Sequence, residues 1–184
     1  MNHRIEHVIE HMKKMGLTQL IVSDPMSIRY LTGIYVEPFE RLFAFLVRTD
    51  RQHIFFLNQL FTIPGTPYTE VWFSDTDDAI GLIAKHLTPG RLGIDKTWPA
   101  RFLIPLTERT GIIPILASDA VDDCRACKDT EEQALMKKAS RINDIVMEKA
   151  FHFVKKGMTE KDAAAFIDRT YIAEGAQGTS FPTI

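Results

Sequence analysis

The stretch from Val71 to Leu116 constrains the fold most. It alternates short apolar runs with amphipathic ones. Val71-Trp72-Phe73 is followed by a helical pattern from Asp75 to Leu87, a strand pattern from Leu92 to Asp95, a second helical pattern from Ala100 to Arg109, and an apolar run from Ile112 to Leu116. Strand, helix and strand in succession require crossovers, with the helices covering a face of the sheet the strands share. Upstream, Leu42 to Val47 and His53 to Leu57 are rich in Phe, Val, Ile and Leu. Thr49-Asp50-Arg51 lies between them, so the two runs predict a hairpin. A hairpin within a crossover sheet makes that sheet mixed.

The chain opens with an amphipathic helix. Ile5, Val8, Ile9 and Met12 share one face by their spacing, and Gly16 is placed to stop it. Leu20-Ile21-Val22 follows as a buried strand. Asp24-Pro25 breaks it before a short helical turn from Ser27 to Leu31. Residues 1–122 therefore read as one complete α/β domain. Asp119 to Lys128 is polar and contains no core run, so residues 123–129 read as a linker. Asp129 and Glu132 then have capping-box spacing. Behind them Leu135, Ala139, Ile142, Val146, Ala150 and Phe153 repeat at threes and fours up to Gly157. Thr159 and Asp162 cap another helix, with Ala163, Phe166, Ile167 and Tyr171 on its apolar face and Gly175 at its end. Thr179 to Ile184 reads as extended. Two helices and an extended stub enclose no core, so residues 130–184 read as the truncated start of a second domain.

Composition excludes several classes of function. The 22 basic and 24 acidic side chains leave a formal net charge of −2, which argues against nucleic acid as a partner. With 45% hydrophobic and 25% charged residues the chain has the balance of a globular protein, not a disordered one. No apolar run approaches the roughly 20 residues of a membrane helix. Met1 to Glu10 alternates charged and apolar residues, unlike a signal peptide. Two cysteines build no disulfide framework, which points to the cytoplasm.

Three clusters invite a chemical reading, and each has a plainer one. Cys124 and Cys127 form a C-x-x-C pair, but they lie in the expected linker and lack a second ligand pair for zinc. His3, His7 and His11 share a helical face, yet Glu6, Glu10, Lys13 and Lys14 surround them as on a solvated surface. Asp75, Asp77 and Asp78 precede a helix, where carboxylates cap the first turn and favour its dipole. No H-E-x-x-H, G-x-S-x-G, G-x-G-x-x-G or phosphate-binding loop occurs in the sequence.

Several short motifs, in order, resemble one family. Asp24-Pro25-Met26-Ser27-Ile28-Arg29-Tyr30-Leu31-Thr32-Gly33 looks like the DPxNIxYLTG segment of creatinase-type N-terminal domains. Arg125-Ala126-Cys127-Lys128-Asp129-Thr130-Glu131-Glu132 resembles the RxxKDxxE signature that opens the catalytic domain of Xaa-Pro peptidases. Gly157-Met158-Thr159-Glu160 matches GxTE, and Ser180 to Ile184 matches SFPTI. Ser27 replaces a more usual Asn, and Gln133 a more usual Ile. The resemblance spans essentially the whole chain.

It implies a ribonuclease-H-like N-terminal domain with a mixed sheet, followed by the first helices of an α+β pita-bread domain. It also implies the N-terminal part of an Xaa-Pro dipeptidase (prolidase) or aminopeptidase P. Such an enzyme hydrolyses the bond before proline with two divalent metal ions, manganese, cobalt or zinc. Two cations acidify a shared water and polarise the scissile carbonyl. The family's five metal ligands lie downstream of SFPTI, so the resemblance assigns this chain no metal ligand and no catalytic residue. The chain alone is expected to be inactive. Phe181 takes the role of the family's pocket-lining Phe, the alternative being a plain core residue. Tyr30 is a second substrate-binding candidate, since the N-terminal domain can reach a partner subunit's site. Its alternative is packing beneath the sheet. The expected substrate is a proline-containing dipeptide or peptide, and the expected assembly a cytoplasmic homodimer. Other readings are a creatinase-like, metal-independent C–N hydrolase and a non-catalytic oligomerisation module.

Overall fold

The structure, a computed structural model, describes residues 3–181. The chain divides into two compact units, Met1–Cys127 and Lys128–Ile184. Helix α1 (His3–Lys14) opens the first, burying Ile5, Val8, Ile9 and Met12 as their spacing requires. Strand β1 (Gln19–Val22) is buried throughout. Helix α2 (Pro25–Thr32) starts where Asp24 accepts a hydrogen bond from the Ser27 backbone N–H, with Pro25 in the first turn. It ends at Gly33, whose φ of 78° is the left-handed conformation of a helix stop.

Strands β2 (Ala44–Arg48) and β3 (Ile54–Asn58) form the expected hairpin, with Phe45 opposite Phe55. Strand β4 (Thr69–Phe73), helix α3 (Ala79–His86), strand β5 (Leu92–Ile94), helix α4 (Ala100–Thr110), strand β6 (Ile115–Leu116) and helix α5 (Asp119–Ala126) complete the unit. The strand order is β4-β3-β2-β1-β5-β6. Strand β2 runs antiparallel to both neighbours, while β3 and β4, β1 and β5, and β5 and β6 pair in parallel. This is the mixed α/β sheet that the hairpin and crossovers predict.

Side chains alternate across that sheet. Leu20, Val22, Phe45, Val47, Phe55 and Leu57 join a cluster with α1, α2 and α5. Ile21, Ala44, Leu46, Ile54 and Phe56 join a second cluster with Ile80 and Ile83 of α3 and Leu106 of α4. The central strands are buried on both faces, which is why they read as continuous apolar runs. At Gly93 of β5 a Cβ would stand 2.8 Å from the Ala117 Cβ and 2.9 Å from a Leu17 methyl, so only glycine fits.

The expected linker is corrected by α5. Residues 123–126 continue a helix that buries Ala120, Val121 and Cys124 against the cluster containing α1. Three small apolar residues seat a helix whose remaining positions include Asp119, Asp122, Asp123 and Arg125. Those charged residues hide the helix in a reading by composition. Two boundaries also move. Helix α3 begins at Ala79, with Asp78 as its N-cap, and β6 is confined to Ile115–Leu116.

In the second unit, α6 (Thr130–Phe153) and α7 (Glu160–Ala173) both start with reciprocal capping boxes, Asp129 with Glu132 and Thr159 with Asp162. The Phe153 and Phe166 rings stack with centroids 3.9 Å apart. Lys149 pairs with Glu174. Val146, Ala150 and Thr170 are the buried residues of this pair of helices, whereas Leu135, Met136 and Phe151 are exposed. Pro182, Thr183 and Ile184 of the SFPTI match lie outside the described residues. Among the described residues no helix is long and apolar enough to cross a membrane.

Candidate functional site

In the second unit α6, α7 and the segment after them border an open cleft of about 880 Å³. Leu135 and Ile142 line it from α6, Ile167 and Tyr171 from α7, and Phe181 from the segment that follows. The helical spacing of these residues puts them on the facing sides of the two helices. The Tyr171 hydroxyl donates to the Asn143 Oδ1 at 2.6 Å, which holds the phenol at the cleft wall. Lys138 is the one charged side chain among the described lining residues, and no His, Asp, Glu or Cys is among them. Apolar walls with a few polar groups suit a bound apolar side chain or ring.

Phe181 is 67% exposed and borders this cleft. Tyr30 belongs to the other unit. Its hydroxyl donates to the Cys124 carbonyl oxygen at 3.2 Å, and the Arg4 guanidinium lies 4.6 Å from its ring centroid. The Arg4 Nη1 also donates to the Tyr30 carbonyl oxygen at 3.0 Å. Tyr30 is thereby tied into the packing of α1, α2 and α5.

The remaining clusters hold structure. The His3 and His7 rings meet edge to face, and the His11 Nδ1 lies 3.8 Å from an Asp123 carboxylate oxygen. Among the described residues no group of three or more His, Cys, Asp or Glu side chains could hold a metal ion. Burial pushes the Cys124 thiol pKa up, and Cys127 is exposed. Cys124 lies in the last turn of α5 and Cys127 is its C-cap residue. Arg41, and then Asn58, hold the Asp75 carboxyl below its ordinary range. Ser74 does the same for Asp77, and Arg109 with the Gly81 N–H for Asp78.

One polar constellation has only a faint signal in the sequence. The buried Asp95 carboxylate accepts from Ser23 Oγ at 2.9 Å, from the Asp24 N–H at 2.8 Å, and from both the N–H and hydroxyl of Thr97. Beside it, Arg125 Nη1 donates to Ser27 Oγ at 3.0 Å and lies 3.5 Å from Asp24 Oδ2. An acidic residue shortly after each of two apolar strands marks Asp24 and Asp95. Nothing local to Arg125 announces that it meets residues about 100 positions away.

Comparison with known proteins places these features. Residues 4–127 match the Creatinase/Prolidase N-terminal domain, and residues 134–184 match Metallopeptidase family M24. A probable dipeptidase PepE of Mycobacterium tuberculosis is 29% identical over 176 residues, which cover 90% of this chain and 47% of that protein. The crystal structure of a dipeptidase from Pyrococcus horikoshii OT3 superposes with a TM-score of 0.85 at 26% identity, over 97% of this chain and 52% of the other. A prolidase from the same organism has a TM-score of 0.82 at 21% identity, covering 100% of this chain and 52% of that one, a likeness of fold. The chain thus spans about half the length of the curated relatives it matches.

Proposed function

The chain belongs to the creatinase/prolidase family, and on that premise we propose that it is the N-terminal part of a metal-dependent dipeptidase that cleaves the bond before proline. The observation that carries this reading is the apolar cleft of the M24-matching segment, with Phe181 on its wall. A flat aromatic beside aliphatic side chains suits a proline ring. Two divalent ions, manganese, cobalt or zinc, would polarise the scissile carbonyl and activate water in the whole enzyme. The described residues do not fit such a pair, having no cluster of three ligand side chains. This chain's contribution is therefore to bind and orient, with Phe181 as the leading substrate contact. Tyr30, held by Cys124 and Arg4, is a contact of the second rank. The whole enzyme is read as a cytoplasmic homodimer.

The test uses the longer protein, of which this chain is the N-terminal part, and follows proline release from Ala-Pro beside Ala-Ala. Cleavage that prefers Ala-Pro, stops with a chelator and returns with manganese is expected. Phe181→Ala should raise KM several-fold while changing kcat less. Equal hydrolysis of both dipeptides, or activity indifferent to the chelator, would overturn the reading.

A further inference from the structure

The cleft of the second unit is apolar but not neutral, and its one charge lacks a counterpart. Lys138 lies on the stripe of α6 that lines the cleft, three residues after Leu135 and four before Ile142. The other positions one turn away are Ala134 and Arg141, so no carboxylate on its own helix face neutralises it. Among the described residues Lys138 has no hydrogen bond or ion pair, and no lining side chain is acidic. Lys149, further along the same helix, does find an acid in Glu174. Lys138 is exposed, so its ammonium is open to a ligand. The other polar lining side chains are neutral. One of them, Asn143, has its Oδ1 taken by the Tyr171 hydroxyl, so what its amide adds to the cleft is a donor.

We propose that Lys138 binds the free carboxylate that follows proline, and so confines the cleft to substrates in which proline is the C-terminal residue. The inference rests on the reading of this cleft as the proline pocket. A lysine in an apolar stripe lays its methylenes along its neighbours and carries the ammonium to the rim. There the apolar wall displaces part of the water that screens the charge, so an anion is held more firmly than on an open surface. An unpaired cation beside amide donors attracts a carboxylate and repels an amino group. Proline carries its ring and its carboxylate on the same carbon, so an apolar wall with one cation matches both. In a longer peptide that carboxylate is replaced by a neutral amide, which leaves the ammonium without a counter-charge. The site then discriminates by what it leaves unpaired.

The test uses the longer protein and compares Ala-Pro with Ala-prolinamide, which lacks the carboxylate. The wild type should take Ala-Pro with a KM about tenfold below that for the amide, at similar kcat. Lys138→Met keeps the stem and removes the charge. It should raise the KM for Ala-Pro about tenfold and leave the amide unchanged, which erases the difference. Lys138→Arg should keep most of it. Calorimetric binding of N-acetylproline and N-acetylprolinamide to the chelator-treated protein reads the same contact without turnover and should show the same pattern. Equal handling of acid and amide by the wild type in either measurement would overturn the assignment. So would a Lys138→Met variant that weakens both alike. Preference for Ala-Pro over Ala-Ala is a separate ratio. Its loss counts against the proline reading, whereas the acid-to-amide ratio alone decides the role of Lys138.

Discussion

The two units use their apolar residues differently. In the first, β2 and β3 are covered on both faces, so Phe45, Phe55 and Phe56 are fully buried. In the second, α6 and α7 cover each other along one line only, and Phe151 remains 77% exposed. Both helices are well made locally, with capping boxes at both starts. Good helix starts and apolar stripes thus establish a helix without establishing a closed core. A stripe becomes core only when another surface faces it.

The sharpest way to break this contrast is to delete one large ring from each unit. Phe56→Ala opens a cavity beneath α3 and α4 and should lower stability by about 3–5 kcal/mol. Phe151→Ala should stay within about 0.5 kcal/mol. Urea unfolding followed separately in each unit measures both. Comparable losses would mean that the second unit is as tightly packed as the first.

A smaller effect separates the two cysteines, and it corrects what a linker would predict. Cys124 belongs to the cluster that includes α1, so Cys124→Ser should cost about 1–2 kcal/mol by placing a hydroxyl among apolar neighbours. Cys127 is exposed, and Cys127→Ser should be neutral within about 0.5 kcal/mol. Equal melting temperatures for the two variants would remove α5 from the core.

The smallest effect is a pH slope. Burial lowers the His53 pKa from its ordinary 6.5, although Glu6 and Asp50 pull the other way and Arg51 and Arg48 add to the lowering. The neutral ring accepts the Arg48 N–H through Nδ1 at 3.2 Å, a bond that protonation abolishes. With the folded pKa below the unfolded one, the contribution is complete above about pH 6.5. It declines as pH falls from there toward the folded value. His53→Gln should flatten that part of the stability curve. An unchanged slope would assign it to another group.

The legible parts of the molecule were those with local causes. The hairpin shows in two apolar runs around Thr49-Asp50-Arg51, and the crossovers in the alternation from Val71 to Leu116. Helix α1 shows in the spacing of Ile5, Val8, Ile9 and Met12, and α6 and α7 in their capping residues. Helix α5 was hidden because its buried side consists of Ala120, Val121 and Cys124, too small and few to outweigh its aspartates. The meeting of Arg125 with Ser27 was not legible, because hydrogen bonding leaves no periodicity across so long a separation. The candidate site was legible in part. Leu135, Ile142, Ile167 and Tyr171 follow from helical spacing, whereas Phe181 was singled out only by family resemblance. The cleft they share depends on how α6 and α7 pair.

The most direct measurement of the contrast between the units is a calorimetric melt of residues 1–127 and of residues 128–184, each expressed alone. The first piece should melt as a monomer in one cooperative transition, and shortening it to residue 122 should destabilise it by removing Cys124 and Arg125. The second should show helical circular dichroism, no cooperative transition, and binding of a hydrophobic dye. A cooperative, dye-free monomer for residues 128–184, beside an unfolded 1–127, would contradict the account.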